Sequence, residues 1–162
     1  MIIIKPHYKQ LLADSIKIFA FAGFVYLLLY VLRLVEVDEY IPVILWKETI
    51  AIIVAILLML IRYIHLTTVK WEINNETILR TKGVFAKKKD YIELYRIVDY
   101  QETQTFLQRI FHVKDITVIS TDRSDQIMRI FGVPQSEDII RKIRTLVERI
   151  KKEKRVYEIT NY

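Results

Sequence analysis

The sequence predicts an α+β chain, in which a pair of apolar helices precedes an antiparallel β-barrel or sandwich capped by a C-terminal amphipathic helix. Three observations predict it. The 162 residues are 52% hydrophobic and still 27% charged, and the apolar residues gather in two runs before residue 65. From Leu66 onward, short alternating runs are separated by turn residues. Residues 139–150 then repeat their apolar side chains with the period of a helix.

The first apolar run, Ile16 to Val35, has a length of about 20 residues, which suits a hydrocarbon core of about 30 Å. Its charges, Lys17 and Arg33, stand near its ends, where long side chains reach the interface. A cleavable signal peptide is disfavoured, because no small-x-small site follows and Glu36, Asp38 and Glu39 come next. The second run, residues 47–64, places Lys47, Glu48 and Arg62 at its ends, with Trp46 and Tyr63 where an interfacial aromatic belt would hold them. A re-entrant or peripheral hairpin is the competing reading of this second run. Lys5, Lys9 and Lys17 flank the first run, and Arg62, Lys70, Arg80 and Lys82 end or follow the second, whereas the connecting loop is acidic. That bias puts both termini on the cytoplasmic side of a bacterial inner membrane and the loop outside. No charged residue falls near the middle of either span, so a proton or ion pathway has nothing to run on. Gly23 has Leu27 rather than a small residue four places on, so there is no GxxxG pairing signal.

The chain therefore divides into 1–64 (an N-terminal segment and two transmembrane helices at about 16–35 and 47–64), a soluble domain over 65–155, and a tail over 156–162. Within the domain, Thr67 to Ile73 reads as a strand ending at the turn Asn74-Asn75-Glu76. Thr77–Thr81 and Val84–Tyr91 read as a hairpin through Lys82-Gly83, with Gly83 supplying a positive φ. Arg96 to Thr105 is a polar strand, Phe106 to Phe111 a single amphipathic turn, and Asp115–Thr121 and Ile127–Gly132 are strands across Asp122-Arg123-Ser124-Asp125. After Pro134, Ser136 is the expected N-cap of a helix whose buried face is Ile139, Ile140, Ile143, Leu146, Val147 and Ile150. Lys151, Lys152, Lys154 and Arg155 load the end where the helix dipole favours cations.

The run from Tyr91 to Ser120 carries Ile92-x-Leu94-x-Arg96-Ile97-x-Asp99, then Gln104, then Phe106-Leu107-Gln108-Arg109-Ile110, then Asp115-Ile-Thr-Val. This order resembles the bacterial pleckstrin-homology (PH) domain family, in its YdbS-like branch where such a domain follows paired membrane helices. The resemblance implies a PH fold of six or seven strands with a capping helix, and an interaction module rather than an enzyme. Family members usually carry glycines after the amphipathic turn; here those places are His112 and Lys114, which puts the local turn geometry in question. The resemblance marks Arg96, Ile97, Asp99, Gln104, Leu107, Arg109 and Asp115 as motif positions. Their expected role is structural, with Arg96 and Arg109 each bridging a carboxylate such as Asp99 or Asp115; ligand binding is the alternative.

Catalytic chemistry finds no support. There is no cysteine, and none of His7, His65 and His112 has a metal-ligand partner at helical spacing, so neither cofactor nor metal is expected. Three glycines form no phosphate loop, and no serine sits in a nucleophile elbow. The candidate binding feature is basic: Lys87, Lys88 and Lys89, reinforced by Arg80 and Lys82 across the hairpin. Beside an anionic leaflet such a cluster contacts lipid headgroups; alternatively it is a solvated strand edge guarded against aggregation. The net charge of +6 is not matched by any nucleic-acid reading motif, so no nucleic acid is expected. The expected partners are the bilayer, anionic headgroups, an unidentified protein, or a second copy paired through an exposed strand edge. The competing function is an accessory subunit of a membrane transport or export complex, hinted at only by Tyr26 and Tyr30 on one face of the first helix.

Overall fold

A computed structural model of the chain describes residues 1–35, 41–122 and 126–155. Glu36, Asp38, Glu39, Arg123 to Asp125 and the tail 156–162 lie outside the described residues, as do the side chains of Arg33, Trp46, Lys47 and Glu48.

An N-terminal strand, β1 (Ile2–Ile4), precedes two long helices, α1 (Tyr8–Val35) and α2 (Ile41–Thr68). The hairpin strands β2 (Lys70–Ile73), β3 (Thr77–Lys82) and β4 (Lys88–Glu93) follow. After one 3₁₀ turn, Leu94–Arg96, come β5 (Ile97–Thr103), the short α3 (Phe106–Ile110), β6 (Val113–Ser120), β7 (Ile127–Pro134) and the capping helix α4 (Ile139–Glu153). The fold is α+β with two antiparallel sheets, ordered β1-β2-β3-β4 and β5-β6-β7. They do not close into a barrel, which corrects that half of the expectation. The 3₁₀ turn interrupts the ladder after Glu93 and carries the chain from one sheet to the other.

Alternation explains the core. Trp71, Ile73, Ile78 and Ile92 of the first sheet, Ile116, Val118, Met128 and Ile130 of the second, and Ile139, Ile143, Val147 and Ile150 of α4 form one buried cluster. Burying each such side chain contributes about 1.5–3 kcal/mol, so α4 is held by its apolar stripe rather than by intrinsic propensity.

The expected strand Val84–Tyr91 begins only at Lys88, and other local expectations differ for nameable reasons. Thr67 and Thr68 belong to α2 and not to a strand: their hydroxyls donate to the carbonyls of Tyr63 (3.0 Å) and Ile64 (2.8 Å), which lets a β-branched pair end a helix. Asp138, not Ser136, caps α4 by accepting from the Arg141 N–H at 3.0 Å, because Glu137 N–H bonds back to Pro134 and spends Ser136 in a turn. His112 takes φ +55° just after α3, the left-handed geometry that glycine adopts most easily, and Lys114 reaches Glu102 at 2.9 Å.

The helix pair runs antiparallel, with Ser15 Oγ 3.3 Å from Met59 Sδ. Within α1, Tyr8–Leu28 is long and apolar enough to cross a membrane, and only 17% of it is buried. Among the described residues the apolar stretch of α2, Ile52–Thr68, is shorter. Beyond the helices the chain returns to its starting point: β1 pairs with β2, Ile2 opposite Ile73 and Ile4 opposite Trp71.

Candidate functional site

Two clusters of polar residues stand at the end of the domain from which the helices emerge. The first is buried. Gln108 of α3 sits at N3 of a capping box: its side-chain oxygen accepts from Thr105 N–H at 2.9 Å, and Thr105 Oγ1 accepts in return from Gln108 N–H. Its Nε2 then donates to Gln10 of α1 (3.1 Å) and to Asp115 of β6 (2.9 Å). Gln10 donates to Asp14, and Asp14 receives Arg62 of α2 at 2.7 Å. Asp115, 3% exposed, also accepts from Arg129 of β7 at 2.7 Å and from the Gly132 N–H at 2.9 Å. One continuous network therefore ties α2, α1, α3 and the second sheet. Gly132 is the pinch point: its φ is +67°, its carbonyl accepts from His7 N–H at 2.8 Å, and a Cβ there would stand 3.0 Å from Gln10 Cβ. Arg62 and His65 of α2 also cover the Phe131 ring, whose edge meets Trp71 at 4.9 Å.

The second cluster is exposed. In the β3–β4 hairpin Arg80 faces Asp90, Lys82 faces Lys88 and Thr81 faces Lys89. Opposed lysines repel, and Asp90 relieves this by meeting Arg80 at 2.7 Å, Lys82 at 3.2 Å and Lys88 at 3.4 Å. Burial alone pushes the Asp90 carboxyl up, but hydrogen bonds from Arg80 and Lys82, with their charges, outweigh it and hold the group at about 2. One carboxylate thus serves three cations, and Lys87 and Lys89 remain exposed outside that arrangement. The turn depends on Gly83, with φ +111°, where a Cβ would lie 2.0 Å from the Ala86 carbonyl oxygen. At the tip Val84 is half exposed and Phe85 entirely so. On the face bearing Lys89, a cleft of about 440 Å³ is lined by Thr68, Lys70, Glu72, Thr81, Lys87 and Lys89.

The remaining motif positions scatter. Ile97 is in the core, and Gln104 donates to the Val113 carbonyl at 2.9 Å. Leu107 is half-buried, and Asp99 is exposed, accepting from its neighbour's N–H at the β5 bulge. Arg96 meets Glu93 (3.0 Å) and Asp122 (3.8 Å), not Asp99 or Asp115, because the 3₁₀ turn brings residues three apart to one side. Arg109 is exposed and forms no ion pair among the described residues, so the partner of Asp115 is Arg129 instead. Sequence reasoning missed Gln10, Asp14 and Arg129, and it quoted Gln108 within the motif without giving it a role. Two signals were available for them: the Thr105-x-x-Gln108 capping spacing, and a carboxylate at position 14 set two residues ahead of an apolar run. Among the described residues no group of three or more His, Asp or Glu side chains is placed to hold a metal ion.

A family model described as "Bacterial PH domain" matches residues 17–147. Comparison with curated proteins and with solved structures gave no match.

Proposed function

The chain belongs to the bacterial PH domain family, and from that premise we propose that it is a membrane-anchored, non-catalytic interaction module. Its helix pair forms a transmembrane hairpin that displays the PH domain on the cytoplasmic face. The observation that carries this reading is the pairing of β1 with β2. The segments before α1 and after α2 share one sheet, so the two helices must leave and re-enter the domain on the same side of any bilayer. The exposed apolar side chains of both helices, Phe19, Phe21 and Phe24 on one and Ile52, Ile53 and Ile56 on the other, favour lipid over water around them. A removable leader fits poorly with a strand ahead of α1 that is built into the sheet.

The junction network supports a domain held in a fixed orientation to its helices, as suits a docking platform. Its partners are membrane-associated proteins, a second copy, or the lipid headgroups. The test is carbonate extraction of membranes holding the full chain, with protease access to a tag after residue 162, followed by crosslinking and capture of partners. Retention in the membrane pellet, a tag accessible only from the cytoplasmic face, and a partner lost when the domain surface is altered are expected. Release into the carbonate supernatant overturns the anchor.

A further inference from the structure

We propose that the β3–β4 hairpin is a lipid-reading finger: Phe85 and Val84 enter the same bilayer that holds the helices, and the lysine-lined cleft receives the phosphate of an anionic phospholipid. This rests on the membrane-anchored reading above and names the ligand of the basic hairpin. The placement comes from register. Lys70 opens β2 one residue after α2 ends, and its partner on β3 is Thr81, so Lys82 and the turn beyond it overhang the last turn of α2. Gly83, Val84 and Lys87 accordingly share the cleft with Thr68 at the helix end. An extended strand rises about 3.3 Å per residue, so the tip reaches several ångströms past the point where the domain meets its helix.

The composition of the finger suits an anionic interface. Phe85 is a fully exposed aromatic ring at the tip of the turn, beside the half-exposed Val84, an apolar tip above a basic stem. The hairpin and the adjoining β2 carry Arg80, Lys82 and Lys88 with Asp90 on one face, and Lys70 and Lys89 with Glu72 on the other, and Lys87 joins the second group in the cleft. Asp90 is spent on holding Arg80, Lys82 and Lys88 together. Glu72 lies in the cleft but is engaged by Lys70 at 2.6 Å, leaving Lys87 and Lys89 with the hydroxyl of Thr81 to meet a phosphate. A neutral headgroup would leave that charge unanswered, and a protein partner would have to fit between the tip and the membrane surface.

The chain lacks cysteine, so an environment-sensitive fluorophore can be placed at one site. Full-length protein carrying Ala86→Cys, or Asn75→Cys in the turn at the opposite end of the sheet, is labelled and reconstituted in vesicles. The vesicles are phosphatidylcholine alone, or equal parts phosphatidylcholine and phosphatidylglycerol, and flotation reports incorporation. The expected result is blue-shifted emission from position 86, quenched by spin-labelled lipid, in the anionic vesicles, with position 75 remaining water-like. Phe85→Asp should abolish the shift, and Lys87→Gln with Lys89→Gln should raise the phosphatidylglycerol fraction needed, each lysine being worth about fivefold in affinity. Protein that floats while position 86 stays as water-like as position 75 overturns the finger and leaves the anchor standing. Equal insertion into phosphatidylcholine alone overturns the anionic preference. Protein that does not float overturns the anchor and the finger together.

Discussion

Asp115 and Asp90 are both paired with an arginine at 2.7 Å, and they do opposite things. Asp115 is sealed between α3 and the second sheet, where it receives a guanidinium, an amide and a backbone N–H. Three hydrogen bonds hold it in fixed geometry, and the network continues through Gln108 and Gln10 to the helix pair. Asp90 lies at an open hairpin, gathers three cations, and leaves the surface strongly positive. The carboxylate of the junction network specifies where the domain sits on its helices; the one in the hairpin, with 11% of its side chain exposed, sets how much charge the hairpin presents. The partners make the difference: Asp115 holds a buried amide and a backbone N–H that have no water to replace it, whereas Asp90 holds only side-chain cations.

Removing the buried partner is the strongest way to break that contrast. Asp115→Ala leaves the buried Gly132 N–H and Gln108 amide unsatisfied, while Arg129 turns to water, and should cost about 3 kcal/mol, with a fall in Tm of roughly 10 °C in detergent. A loss below about 1 kcal/mol would mean that water already reaches the site. Gly132→Ala should cost about 2 kcal/mol, because alanine is strained at φ +67° and its Cβ presses on Gln10. The specific sign of this is increased protease cleavage between the domain and α1 before global unfolding. At the hairpin the effects should be smaller. Asp90 titrates at about 2 in the fold against 3.8 when unperturbed, so its stabilisation is present above about pH 4 and lost as the pH falls toward 2. Asp90→Asn should therefore remove about 1 kcal/mol at pH 7, after allowance for screening, and flatten the acid limb of the stability curve. An unchanged acid limb would dissolve the comparison. The smallest expected effect is a gain: His112→Gly relieves a left-handed backbone and should add about 0.5 kcal/mol, read as a small rise in the denaturation midpoint.

How much of this was legible in the sequence depended on the range of the interaction. The face Ile139, Ile143, Val147 and Ile150 is written in one helical period, and the hairpin turn in one glycine, so both could be read directly. The Thr67-Thr68 pair misled because β-branched residues read as strand, while the hydroxyl bonds that keep them helical depend on where α2 began. β1 was missed because three isoleucines carry no periodicity, and their partner lies about seventy residues on. The junction network failed for the same reason: Gln10 and Gln108 are 98 positions apart, and neither residue type signals burial on its own. Lys87, Lys88 and Lys89 could be named as a cluster, but Phe85 fell inside the expected strand Val84–Tyr91, whereas the turn runs through it and β4 begins only at Lys88.

The joining of Ile2–Ile4 to Lys70–Ile73 also constrains how the chain is made. Its first strand leaves the ribosome with no template and must wait until both helices and β2 have been synthesised. In the anchored arrangement proposed above, a first helix threaded in the wrong sense would maroon that strand across the bilayer and leave β2 with a raw edge. Sheet completion would then act as a proofreading step for insertion.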